Sequence, residues 1–79
     1  MEVLMNKHRR SELKNAIVLL SQALQIVTSV CDEEQDALFN IPENLQNSEM
    51  YEKIEQTVEE LQEAVEHMEQ AEENLSNIL

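Results

Sequence analysis

Apolar residues recur every three or four positions along this chain, in two long blocks. In the first block, heptads place Leu13, Leu20 and Val27 at a, with Ala16, Ala23, Val30 and Ala37 at d, and Ile17, Leu24, Cys31 and Leu38 at e. A repeat of that period, held for nearly four heptads, predicts a helix that packs along one side in coiled-coil fashion. Position g adds Leu19 and Ile26, which widens the apolar arc to about 160° at 100° per residue. The second block has Ile54, Leu61, Met68 and Leu75 at a, Met50, Thr57, Ala64, Ala71 and Ile78 at d, and Tyr51, Val58, Val65, Glu72 and Leu79 at e. Its g positions are polar (Lys53, Glu60, His67, Asn74), so its arc is only about 100° wide. Large residues at a and small ones at d on both helices suit close backbone approach, and Met50 and Met68 read as core filler.

LFNIPENLQNSE separates the blocks. Pro42 cannot sit in a helix interior and biases Ile41 toward extended geometry, which suits the first position of a short turn with Asn40 nearby as a capping oxygen. Ser48 or Asn47 caps the second helix, and Glu49 and Glu52 complement its dipole. Phe39, Ile41 and Leu45 are apolar enough to plug the open end of a helix pair. The expectation is an all-α fold in which residues 1–79 form one helical-hairpin domain. Its first helix runs from about 8 (or from 2) to 38, its corner covers 39–47, and its second helix runs from 48 to about 77. Similar helix lengths and a short corner predict an antiparallel hairpin.

Composition narrows the class. The 79 residues include no Gly, so tight hairpin turns and phosphate-binding loops are disfavoured. One Cys excludes an intrachain disulfide, and the opening MEVLMNKHRR lacks the order of a signal peptide; Met5 is an alternative start. Net charge is −12, with four of the five basic residues in the first fourteen positions and fifteen acids against Lys53 alone from residue 15 onward. Such a field repels nucleic acid and anionic membrane and attracts basic protein surfaces. Lys7, Arg9, Arg10 and Lys14 open the first helix and Asp32, Glu33, Glu34 and Asp36 close it, the reverse of what a helix dipole favours. The second helix also ends in acids. Antiparallel pairing would set the basic start beside that acidic end and offset both.

Residues 15–31, NAIVLLSQALQIVTSVC, carry no charge at all. Seventeen residues with Asn15, Ser21, Gln22, Gln25, Thr28 and Ser29 among them make a poor membrane span, and a buried helix of a soluble protein fits better. A single hairpin would leave the Leu19 and Ile26 flank in water. The expected cover is a second copy, giving a homodimeric four-helix bundle packed through Leu13, Ile17, Leu19, Leu20, Leu24, Ile26 and Val27, with the acidic helices outside. A different protein covering the same helix is the competing expectation.

Position f of the second helix is Glu four times, at Glu52, Glu59, Glu66 and Glu73, flanked by Glu55, Glu63 and Glu69. The plain reading is a solvated face. Single-sign charge exceeds what solvation needs, however, so the sharper expectation is a partner-binding row formed by Glu52, Glu55, Glu59, Glu63, Glu66 and Glu73, facing a basic groove. No catalytic, cofactor or metal site is expected. His67 has Ala64, not a carboxylate, three residues before it, so the di-metal motif of four-helix bundles fails. Glu63 and His67 offer at most an adventitious ion. DEEQD at 32–36 lacks a calcium loop's glycine. Cys31 lies on the e row and reads as a small apolar packing residue. The chain is therefore not expected to be an enzyme.

The run Phe39-Asn40-Ile41-Pro42-Glu43-Asn44-Leu45-Gln46, with Ser48-Glu49 and the Glu-rich heptads after it, resembles a family of small uncharacterised acidic helical proteins of bacteriophages and mobile elements of Firmicutes. NKHRRSELKNAIVLLSQAL fits the same family's basic start and first helix. Met50-Tyr51 and the apolar first helix depart from its pattern. The resemblance implies a phage or element gene expressed in a bacterial cytoplasm. The corresponding functional expectation is a binding protein that blocks a basic host protein, concretely an anti-CRISPR or other anti-defence inhibitor. The alternative is a scaffold-like assembly protein with no inhibitory role.

Overall fold

A computed structural model describes residues 5–79, which form two α-helices and a short 3₁₀ turn with no strand. Helix α1 spans Lys7–Phe39 and α2 spans Glu49–Ile78, with the 3₁₀ turn at Glu43–Leu45 between them. The helices pack against each other as a hairpin measuring 66 × 19 × 13 Å, two helices wide and one helix thick.

Helix α1 begins at Lys7, where Asn6 sits in extended geometry and its Oδ1 accepts the Arg9 N–H at 2.8 Å; the alternative start at residue 2 lies outside the described residues. It continues one residue beyond the expected end, to Phe39. The chain then reverses without any residue of positive φ. Pro42, extended at φ −58° and ψ 147°, precedes the 3₁₀ turn instead of opening it, and its carbonyl accepts the Leu45 N–H at 2.9 Å. Asn40 is the C-cap residue of α1, its N–H bonded to the Asp36 carbonyl at 3.1 Å, and no side-chain cap forms on the 3₁₀ turn. Ser48 joins the turn to α2. Its hydroxyl donates to the Leu45 carbonyl at 2.7 Å and accepts the Tyr51 N–H at 3.2 Å. One side chain thus ends one element and caps the next.

Burial identifies the seam. Cys31 and Val58, both on e rows, are buried, while the a-row residues Leu13, Leu20, Val27, Ile54, Leu61, Met68 and Leu75 are half-buried. The d rows lie at the edge: Val30, Ala37, Met50, Thr57 and Ile78 are exposed. The e positions hold Ile17, Leu24, Leu38, Tyr51 and Val65, which bury more apolar area than alanines at d, so the seam turns toward e. Met50 is therefore not core, at 55% exposed.

The expected apolar plug forms only in part. Ile41, the first side chain after the Asn40 cap, turns inward and is buried, but Phe39 is 84% exposed and Leu45 is exposed in the 3₁₀ turn. Phe39 is still helical, on the f row of α1, and helical phase aims it away from α2.

Candidate interaction surfaces

With a and e at the seam, an antiparallel pair puts the b and f rows of both helices on one flank and the d and g rows on the other. An open groove on the first flank confirms this, lined by Ser21, Leu24, Gln25, Thr28, Ser29 and Asp32 of α1 with Glu69 and Glu72 of α2. A second groove continues it through Cys31, Asp32 and Gln35 to Gln62, Val65 and Glu66.

The acidic row projects from this b/f side. Glu52, Glu55, Glu59, Glu63, Glu66 and Glu73 are all exposed, and the twenty-two residues of helix from Glu52 to Glu73 make a row roughly 30 Å long. Among the described residues the one contact within 4.0 Å between a His, Lys or Arg nitrogen and a carboxylate is His8 Nε2 to Glu12 Oε1 at 2.6 Å, within one helix. The row is therefore not neutralised by the chain's own bases. The expected offset between the basic start of α1 and the acidic end of α2 includes no such pair. Asp32 was not singled out for this surface from the sequence, yet it lines both grooves alongside Glu66, Glu69 and Glu72. Its f position on α1 was the available signal, once an antiparallel seam is assumed.

The opposite flank is apolar on α1 but polar on α2, where the exposed Lys53, Glu60, His67 and Asn74 hold the g row. Leu19 is 60% exposed and Ile26 66% exposed, with exposed Val30 beside them and half-buried Ala16 and Ala23 between. Of the other proposed interface residues, Leu13, Ile17, Leu20, Leu24 and Val27 are half-buried on the a and e rows, so α2 already covers part of each. The neutral helix is thus not buried by its own chain. Only Cys31 in it is buried. By length and composition alone α1 is long and apolar enough to cross a membrane, although none of its most apolar window is buried.

Cys31 packs inside the seam as a free, buried thiol. Among the described residues no group of three or more His, Cys, Asp or Glu is placed to hold a metal ion. The grooves are open troughs, and what they offer is charge and hydrogen-bonding groups for another surface. The chain matches no protein-family model, no curated protein and no solved structure.

Proposed function

We propose that this chain is a non-catalytic binding protein. It associates with a second copy through α1 into a four-helix assembly, and it presents the α2 carboxylate row to a basic protein. The observation that supports the reading most is the division of the surface: exposed Leu19 and Ile26 on one flank, an unpaired row of Glu on the other. Closing the apolar flank leaves the acidic one outward. Fully burying each Leu or Ile side chain contributes about 1.5–3 kcal/mol, and a symmetric contact doubles it. In its concrete form the partner is a nucleic-acid-handling host factor such as a defence nuclease, whose basic groove the row occupies in place of a phosphate backbone. The resemblance carried by corner residues 39–49 is what implies a phage or mobile-element origin and a bacterial cytoplasmic setting. A net charge of −12 disfavours direct contact with nucleic acid or anionic membrane.

The test is affinity capture from bacterial lysate at about 0.05 M and about 0.5 M salt, where screening lengths differ roughly threefold. The expected outcome is a basic protein retained at low salt and lost at high salt. A Glu59→Gln, Glu63→Gln, Glu66→Gln variant should weaken that binding roughly tenfold, at a few tenths of a kcal/mol or more per exposed pair. Binding indifferent to both salt and the triple change would overturn the acidic-row reading.

Exposed Phe39 and Met50 at the corner end, and Ile78 at the far end of α2, favour a second reading, an assembly protein that joins end to end. It predicts particles larger than dimers and no affinity for basic clefts.

A further inference from the structure

The acidic flank carries an aromatic ring as well as charge. This inference rests on the acidic-row reading proposed above and adds an apolar anchor to it. We propose that the basic protein facing the row has an apolar socket at one end of its basic groove, and that the Phe39 ring fills it.

Helical phase puts the ring on that flank. Phe39 lies on the f row of α1, seven residues after Asp32, which lines both grooves of the b/f side. Asp32 and Gln35 stand across one of those grooves from Gln62 and Glu66. Two turns further along α1 and two turns back along α2, Phe39 comes level with Glu55 and Glu59, roughly one helix width away. At 84% it is the most exposed of the large apolar residues among those described, and it is the only Phe in the chain. The hairpin gains nothing from it. Ile41 fills the corner, Asn40 ends the helix, and the seam takes Tyr51. An aromatic ring with charged side chains around it has the composition of an interface centre and its polar rim.

Charge selects the occupant. On the b and f rows within two turns of the ring stand Asp32, Glu52, Glu55 and Glu59, and no base. Lys53 is on the g row of the other flank. The bases of this flank, Lys7 and Lys14 on the b row, lie at its far end, with Lys14 roughly 37 Å from Phe39 along the helix. A second copy would bring the same carboxylates with its own ring, and an anionic surface would bring further negative charge, so both oppose contact here. A basic groove meets neither obstacle. The ring also sets the sense of docking, because the flank is acidic around Phe39 and basic only past the end of the Glu row.

The ring and the carboxylates separate by their response to salt. The basic protein retained at low salt is identified by mass spectrometry and purified. It is then titrated with the unmodified chain, with Phe39→Ala, with Phe39→Leu, and with a Glu55→Gln, Glu59→Gln, Glu66→Gln chain. Phe39→Ala should weaken binding at least roughly tenfold and keep the salt dependence of the unmodified chain, because burial of a ring is not screened. Its helicity should be unchanged, and Phe39→Leu should recover most of the affinity. The Gln chain should lose affinity and show a flatter salt dependence. Full-strength binding by Phe39→Ala beside weakened binding by the Gln chain would overturn the anchor and leave the acidic-row reading standing. A fall in the scattered mass of the free chain on Phe39→Ala would also overturn it, since a second copy would then cover the ring. No retained protein, or a Gln chain that binds at full strength, would overturn the acidic-row reading beneath it.

Discussion

The two helices are nearly equal in length and use the same rows for their shared seam, yet they treat the rest of their surfaces in opposite ways. α2 commits its narrow apolar arc to the seam and covers the remainder with Glu, leaving at its ends the exposed Met50 and Ile78. α1 has apolar residues left over after the seam is filled, at Val18, Leu19, Ile26 and Val30, and its middle has no charge to solvate the remainder. The same heptad layout therefore makes one helix that is finished by its partner within the chain and one that is not. The difference lies at position g: polar in α2, Leu and Ile in α1. Two side chains at one heptad position give α1 an exposed apolar flank that α2 lacks.

The largest expected effect comes from making α1 resemble α2 at that position. Leu19→Glu with Ile26→Glu removes the apolar flank and places four carboxylates at the proposed contact. Self-association should weaken by more than a hundredfold in sedimentation equilibrium, given about 1.5–3 kcal/mol per buried side chain. Helicity at high protein concentration should survive, because the seam on a and e is untouched. Next in size is the seam itself. Val58→Ala deletes two methylene equivalents from a buried site and should cost about 2 kcal/mol. In a domain of this size that lowers the thermal midpoint by roughly 10 °C, compared at one fixed protein concentration.

Ser48→Ala comes third. It removes the hydroxyl that caps α2 and holds the Leu45 carbonyl, and should cost about 1 kcal/mol in denaturant unfolding. Phe39→Ala should be the smallest, within about 0.5 kcal/mol, since its ring is left in water by the hairpin. A larger loss of stability would mean that Phe39 is covered in solution, by a neighbouring molecule at the corner end.

Much of this architecture was legible in the residues. Periodicity indicated two helices on either side of the Pro42 corner, Ser48 was readable as a cap, and Leu19 and Ile26 were readable as the flank a single hairpin leaves wet. The choice between d and e as the second seam row was not legible, because g, d, a and e of α1 are all apolar and each adjacent pair makes a plausible stripe. Side-chain bulk at e settles it in the structure, which is why Val58 and Cys31 are buried while Met50 is not. The corner was misjudged for a related reason. Hydrophobicity alone grouped Phe39 with Ile41, but one lies inside the helix on an outward row and the other just beyond its cap. The contribution of Asp32 to the acidic flank was invisible until the seam fixed which rows share a side.

Static and dynamic light scattering of the unmodified chain, from about one to a few hundred micromolar, tests most directly whether α1 needs a second polypeptide. Scattered mass avoids the error that a 66 Å-long particle causes in elution volume. The account predicts twice the 9.2 kDa chain mass, falling toward the single-chain value only on dilution or on changing Leu19 and Ile26 to Glu. A cooperatively folded particle of 9.2 kDa across the whole range would contradict it.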